Sequence, residues 1–144
     1  MPFVKVWIHC VWSTKNREPY LTDEIRQQVF QHIRDNAKEK NIFLDYINGM
    51  PDHVHCLVSL GTDQTIEGVM RLIKGESSFW INRSNLCKTK FAWQDEYFAV
   101  SVSESMIENV RHYIANQEEH HHKKSFAEEF EGFMKRAGFQ KGLG

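Results

Sequence analysis

Chemistry can first gather at His53-Val54-His55. Strand side chains alternate, so in a strand both imidazoles stand side by side on one face. Two neutral imidazoles at that spacing can bind one divalent cation. The plainer reading is two polar residues on an exposed strand face. Further along, Tyr113 and Gln117 sit at i and i+4, stacked on one helix face. A Gln amide oxygen is a weak but legitimate metal ligand, and a Tyr hydroxyl one turn away can act on whatever the metal holds. Each also has an ordinary use, Tyr113 at the rim of a core and Gln117 as solvated surface. His112 and the run His120-His121-His122 read as solvated helix surface, with added ligands or phosphate contacts as the other use. His9 and His32 read as packing or surface.

Other chemistries are poorly supplied. Cys10, Cys56 and Cys87 are odd in number and widely spaced, and no CxxC occurs. That excludes a disulfide scaffold and a cysteine zinc ribbon, and leaves small buried hydrophobes. Net charge is −1, so no global basic field calls for nucleic acid. The distribution is uneven, however. Arg71, Lys74, Arg83, Lys88 and Lys90 face only Glu76 over residues 71–90. Residues 104–131 are acidic, with Glu104, Glu108, Glu118, Glu119, Glu128, Glu129 and Glu131 against Arg111, Lys123 and Lys124. Such runs are ordinarily solvated helix faces; the alternative is one locally basic surface.

The elements that must position these groups follow from periodicity. Residues 3–14 read as a central strand, with Val4, Val6, Ile8, Cys10 and Trp12 on one side and Phe3, Trp7 and Val11 on the other. Pro19 breaks the pattern, and Thr22 is expected to cap a helix running to about Lys40 with Ile25, Val29 and Ile33 on its core face. Residues 42–49 and His53–Leu60 are two strands joined by Gly49-Met50-Pro51-Asp52, hence an antiparallel hairpin. Val54, Cys56 and Val58 then point away from the histidines, into a helix-covered core. A helix spans about 64–85 on Ile66, Val69, Met70, Ile73, Trp80 and Ile81, and residues 91–102 hold a fourth strand from Tyr97 onward. Ser105 and Glu108 fit a capping box opening a helix over 105–120, with Ile107, Val110 and Ile114 inward. A last helix, about 125–138, presents Phe126, Phe130, Phe133 and Met134.

The fold class expected is therefore α+β. It is a ferredoxin-like, split-βαβ antiparallel sheet in β-α-β-β-α-β order, with two C-terminal helices. At 144 residues and 17.0 kDa the chain reads as a single domain, 1–144, with a core over 3–120. Hydrophobic residues at 41% and charged residues at 26% argue against a disordered chain. No apolar run approaches the roughly 18 residues of a membrane span. The start carries Lys5 and His9 in its apolar stretch and lacks a small-residue cleavage site, so a cytoplasmic protein with no membrane is expected.

Taken together, the H-x-H strand, the Tyr-x-x-x-Gln helix and this element order resemble the HUH endonuclease superfamily. More narrowly, the chain resembles the single-tyrosine transposases of small bacterial insertion sequences. The likeness extends over about residues 3–130. HCVWSTKNREPYL, MPDHVHCLVSL, LIKGESSFWIN and AWQDEYFAVSVSES are similar to the corresponding stretches of that family. The resemblance implies that His53, His55 and Gln117 bind Mg2+ or Mn2+ and that Tyr113 is the nucleophile. It implies cleavage and rejoining of single-stranded DNA with hairpin ends through a 5′-phosphotyrosine. It also implies a homodimer in which the tyrosine helix docks on the partner's metal strand, so that sites are shared in trans. Lys15, Arg17, Lys74 and Arg83 are the candidates for phosphate contacts, and Trp93, Tyr97 and Phe98 for base stacking, core packing being the ordinary use of those aromatics.

Three other readings fit less well. A histidine-triad nucleotide hydrolase needs a third alternate histidine where Leu57 stands. A non-catalytic single-strand nucleic-acid-binding module would present aromatics, not histidines, on the central strand. A domesticated nuclease with the same chemistry and no mobility differs only in its genomic surroundings.

Overall fold

The computed structural model describes residues 2–118, 125–136 and 138. Its elements run β1 (Trp7–Ser13), α1 (Arg26–Glu39), β2 (Phe43–Met50), β3 (His53–Ser59), α2 (Ile66–Arg83), β4 (Phe98–Val102), α3 (Ile107–Ala115) and α4 (Phe126–Arg136). Short 3-10 turns occupy Lys15–Arg17 and Glu104–Met106. The sheet order is β2-β3-β1-β4 with every neighbouring pair antiparallel. This is the expected split-βαβ frame.

β1 is central and covered on both sides, as its two-sided apolar pattern requires. Ile8, Cys10 and Trp12 join Val54, Cys56 and Val58 in one core, closed by Val29, Phe30 and Ile33 of α1 and Val69, Met70 and Ile73 of α2. On the other face Trp7 and Leu57 meet Ile107 and Ile114 of α3, and Val11 and Phe98 lie beside Met134 of α4. The thiols of Cys10 and Cys56 are buried, which pushes the first up to about 12 and the second well above its ordinary range. They pack as apolar groups.

Several boundaries differ from expectation. β1 begins at Trp7, not Phe3, because Trp7 already faces the last paired residues of both neighbours, Ser59 and Val102. Phe3, Val4 and Val6 are accordingly exposed. Trp12 needs no cover from a second chain, since it is buried edge-on to Trp93, whereas Phe43 is exposed. Thr22 does not cap α1 with its side chain. Its carbonyl accepts the N–H groups of Ile25 and Arg26 in a turn, and the helix starts at Arg26. The capping box is not at Ser105 and Glu108, for Ser105 Oγ meets Ser103 Oγ and the Glu108 carboxylate pairs with Arg111. It stands instead at Ser125 and Glu128, where the Glu128 N–H donates to Ser125 Oγ at 3.2 Å and that hydroxyl donates to the Glu128 carboxylate at 3.1 Å. α2 is capped by Thr65, whose hydroxyl accepts from the Gly68 N–H at 3.0 Å. The side chains of Phe126, Phe130 and Phe133, and all of His120-His121-His122, lie outside the described residues. No helix among the described residues is long and apolar enough to cross a membrane.

Candidate active site

The β2–β3 hairpin sets the position of the histidine strand. Gly49 faces Val54, and a Cβ at Gly49 would stand 2.2 Å from the His53 carbonyl oxygen. Only glycine lets β2 approach that closely. The alternation then puts His53 and His55 on the α3 side, their rings 5.2 Å apart and both fully buried. Each imidazole has its own orienting partner. The Nδ1 of His53 lies 2.8 Å from Asp52 Oδ1, and the Nδ1 of His55 lies 3.0 Å from His9 Nε2. His9 reaches His55 diagonally from β1, where its direct cross-strand partner is Leu57.

α3 is moored to β2 along its length. Arg111 donates to both oxygens of Asp45, at 2.7 and 3.1 Å, from the point where the β2 register shifts between Leu44 and Tyr46. Asn48 Nδ2 donates to the carbonyls of Ile114 and Ala115 at 3.0 and 3.1 Å. These bonds satisfy the orphan carbonyls at the helix end, which is why α3 stops at Ala115 and not near residue 120. Tyr113 is thereby held over His55, ring centroids 5.6 Å apart. Gln117 is fully buried, not solvated; its Nε2 donates to the Tyr113 carbonyl at 3.1 Å and its Oε1 lies 3.2 Å from His53 Nε2.

α4 adds a group with no counterpart in the sequence reading. Glu129 is buried with a carboxylate oxygen 2.7 Å from His55 Nε2, and it hydrogen-bonds the Tyr113 hydroxyl. One ligand atom from each of His53, His55 and Glu129 falls within 4.8 Å of the others.

The donor set fits a cation. Nδ1–H of His53 donates to Asp52, so in the neutral ring the Nε2 lone pair faces the Gln117 oxygen, and two acceptors meet. Glu129 brings a further anionic oxygen to His55. A divalent cation among these atoms reconciles them, and the Asp52–His53 pair is the usual outer support of a metal-bound imidazole. Burial is the main reason the Tyr113 hydroxyl is held far above its ordinary range, with Glu129 adding to it and Gln117 and Arg136 opposing. His9 is pushed down to about 3, chiefly by burial and then by His55, against an opposing pull from Glu129. It is a neutral ring.

The structure thus brings together four of the expected site residues, His53, His55, Gln117 and Tyr113. All come from one chain, whereas the resemblance implied a partner's tyrosine helix. The DNA candidates lie elsewhere. Lys15, Arg17 and Arg83 are exposed, and Arg17 lines a 380 Å³ groove with Asn16, Gln94 and Tyr97. Lys74 is committed in part, donating to the carbonyls of Gln94 and Asp95 at 2.6 and 2.8 Å. It also lines a 480 Å³ groove with Arg71, Lys90 and Tyr97. Trp93 and Phe98 are buried in the core; Tyr97 alone of the three aromatics is exposed. A 640 Å³ groove between β4 and α3 reaches His9 and Arg136.

Sequence reasoning missed His9, Asp52 and Glu129. The parity of β1 was the signal for His9, since it shares a side with Trp7 and Val11 and a polar residue there is buried. Asp52 stood in plain view beside His53, at the turn. Glu129 carried no signal, because it sits among acids of the same type at solvated positions.

Comparison with known proteins agrees with this geometry. Residues 3–117 match the family of IS200-like transposases. The chain is 27% identical over 114 residues to the ISDra2 transposase TnpA of Deinococcus radiodurans, covering 76% of this chain and 81% of that protein. A crystal structure of a Deinococcus radiodurans R1 protein described as a transposase superposes with a TM-score of 0.66 at 27% identity, over 81% of this chain and 93% of that one. A REP-associated tyrosine transposase bound to a REP hairpin shares the fold, with a TM-score of 0.56 at 16% identity over 79% of this chain and 66% of that one.

Proposed function

The chain belongs to the IS200-like transposase family, and from that premise we propose that it breaks and rejoins single-stranded DNA through Tyr113. The observation that carries this reading is the Tyr113 hydroxyl beside a buried His53–His55–Glu129 cluster and Gln117. His53, His55 and Glu129 hold Mg2+ or Mn2+, with Gln117 alongside. When bound, the cation polarises the scissile phosphate and draws charge from its oxygens.

Tyr113 Oη attacks phosphorus, the P–O3′ bond breaks and a 5′-phosphotyrosine ester forms. The phenol has an ordinary pKa of about 10 and is raised further by burial, so it reaches the reaction protonated. Its proton passes to the Glu129 carboxylate already hydrogen-bonded to it, and the departing 3′-oxygen takes a proton from water. Another 3′-hydroxyl later attacks the ester and releases Tyr113. One phosphoester replaces another at each step, so rejoining needs no ATP. Arg136, in the groove beside His9, is suited to a backbone phosphate, and Arg17, Lys74 and Arg83 with Tyr97 to the flanking strand or hairpin.

Catalysis in cis is the reading that the Asp45–Arg111 and Asn48–α3 bonds favour. Sharing in trans within a dimer would require α3 to break all of them. The test is cleavage of a single strand carrying hairpin ends, in Mn2+. Saturating EDTA is expected to abolish it, as are His53→Ala and His55→Ala. Full cleavage in chelator would show that the histidine pair is structural.

A further inference from the structure

The two imidazoles of the cation site are supported by chemically different partners. Asp52 is an acceptor only, so it fixes the His53 proton at Nδ1 and the lone pair at Nε2. His9 is different. Its Nε2, 3.0 Å from His55 Nδ1, can either donate or accept. The two rings are stacked, 5.2 Å between centroids and 27° between planes, so the pair is rigid as well as hydrogen-bonded. His55 in turn has its Nε2 2.7 Å from a Glu129 oxygen, a contact that calls for a proton there when no cation is bound. A bound cation needs the opposite, a bare Nε2.

We propose that His9 is a positioning residue that lets His55 exchange a proton for a cation at Nε2. This rests on the cation site described above. Without the cation, His9 Nε2–H donates to His55 Nδ1, and His55 Nε2–H donates to Glu129. With it, the proton leaves His55 Nε2, the His9 proton crosses to His55 Nδ1, and His9 takes one at its own Nδ1. One proton leaves and one arrives, so both rings stay neutral. The groove that reaches His9 gives that exchange a path to solvent. A carboxylate in place of His9 would hold His55 in the cation-binding form only; an apolar ring would leave His55 Nδ1 with no partner. His53, on Asp52, is committed to binding, while His55, on His9, is switchable.

The experiment combines Mn2+ calorimetry with 15N imidazole spectra recorded without metal and with Mg2+ as the diamagnetic probe. His9→Phe keeps the ring and removes both nitrogens; it is expected to weaken Mn2+ binding about 10–100-fold, the usual cost of losing such a partner. Its circular dichroism should match the unaltered protein. His9→Gln, whose amide can donate or accept, should recover binding to within about threefold. In the unaltered protein the His55 proton should move from Nε2 to Nδ1 on Mg2+ addition. An unchanged His55 tautomer, or His9→Phe binding Mn2+ as tightly as the unaltered protein, overturns the role of His9 and leaves the cation site standing. No Mn2+ binding by the unaltered protein overturns both. If His9→Phe fails to fold, His9→Gln and the spectra decide.

Discussion

On the α1/α2 side of the sheet, β1 and β3 present Ile8, Cys10, Trp12, Val54, Cys56 and Val58. On the α3/α4 side the same strands present His9, His53 and His55, equally buried, with Gln117 and Glu129 folded in against them. The first face gains by removing apolar surface from water. The second takes five polar side chains out of water, and each that lost its partner would cost about 1–3 kcal/mol. A chain selected for stability alone would make both faces alike. The difference separates what folds this protein from what it does, and it predicts that the two faces respond differently to substitution.

Breaking the polar face should cost chemistry and little fold. His53→Ala and His55→Ala are each expected to abolish strand cleavage and Mn2+ binding while circular dichroism is retained; a variant that cleaves at more than a tenth of the normal rate would count against the cation site. Breaking the apolar face should do the reverse. Phe30→Ala removes a buried ring from α1 and should lower unfolding free energy by about 3–5 kcal/mol, measured by urea titration, with cleavage by the remaining folded protein unchanged.

Gly49→Ala sharpens the comparison, because this residue serves both faces. The new Cβ collides with the His53 carbonyl, so the hairpin must shift and carry His53 with it. Loss of stability and weakened Mn2+ binding should appear together in one variant. Gln117→Ala should be milder than either histidine change, since water can replace a neutral amide oxygen; a slower cleavage rate at saturating Mn2+ is the expected reading.

The smallest effect concerns pH. His9 is held at about 3 in the fold against an ordinary value of 6.5. The unfolded chain therefore binds the proton first, and the metal-free protein loses stability as pH falls from 6.5 toward 3. Above 6.5 this contribution is fully present. Denaturation midpoints of His9→Phe should fall less steeply across that window than those of the unaltered protein.

The frame was legible because periodicity and turn chemistry report on local structure. The two-sided pattern of β1, the Pro51-Asp52 hairpin and the 3.6-residue stripes of the helices led to the strand order found. His53 and His55 followed from strand parity alone. Groups that depend on tertiary register were not legible. His9 meets His55 only because Cys10 pairs with Cys56 and Val11 with His55, an alignment that β1 does not encode by itself. Glu129 reaches the site only through the seating of α4. The capping box at Ser105 failed because the S-x-x-E pattern competes with Arg111 for Glu108; the same pattern at Ser125 had no such competitor within reach.

Whether one chain holds a whole site can be read by subunit mixing. A His53→Ala/His55→Ala protein and a Tyr113→Phe protein, each inactive, are co-refolded and assayed. The moored α3 leads us to expect cleavage to stay at background; recovered activity in verified heterodimers would place the tyrosine on the partner's histidines.

The central claim is that Tyr113 carries DNA through a 5′-phosphotyrosine ester. Incubation with single-stranded DNA bearing hairpin ends in Mn2+, followed by protease digestion and mass spectrometry, tests it directly. The account predicts one nucleotide-bearing peptide, containing Tyr113, absent in EDTA and absent from Tyr113→Phe, which still binds the hairpin. An adduct of undiminished yield in Tyr113→Phe, or one mapped to another residue, would contradict it.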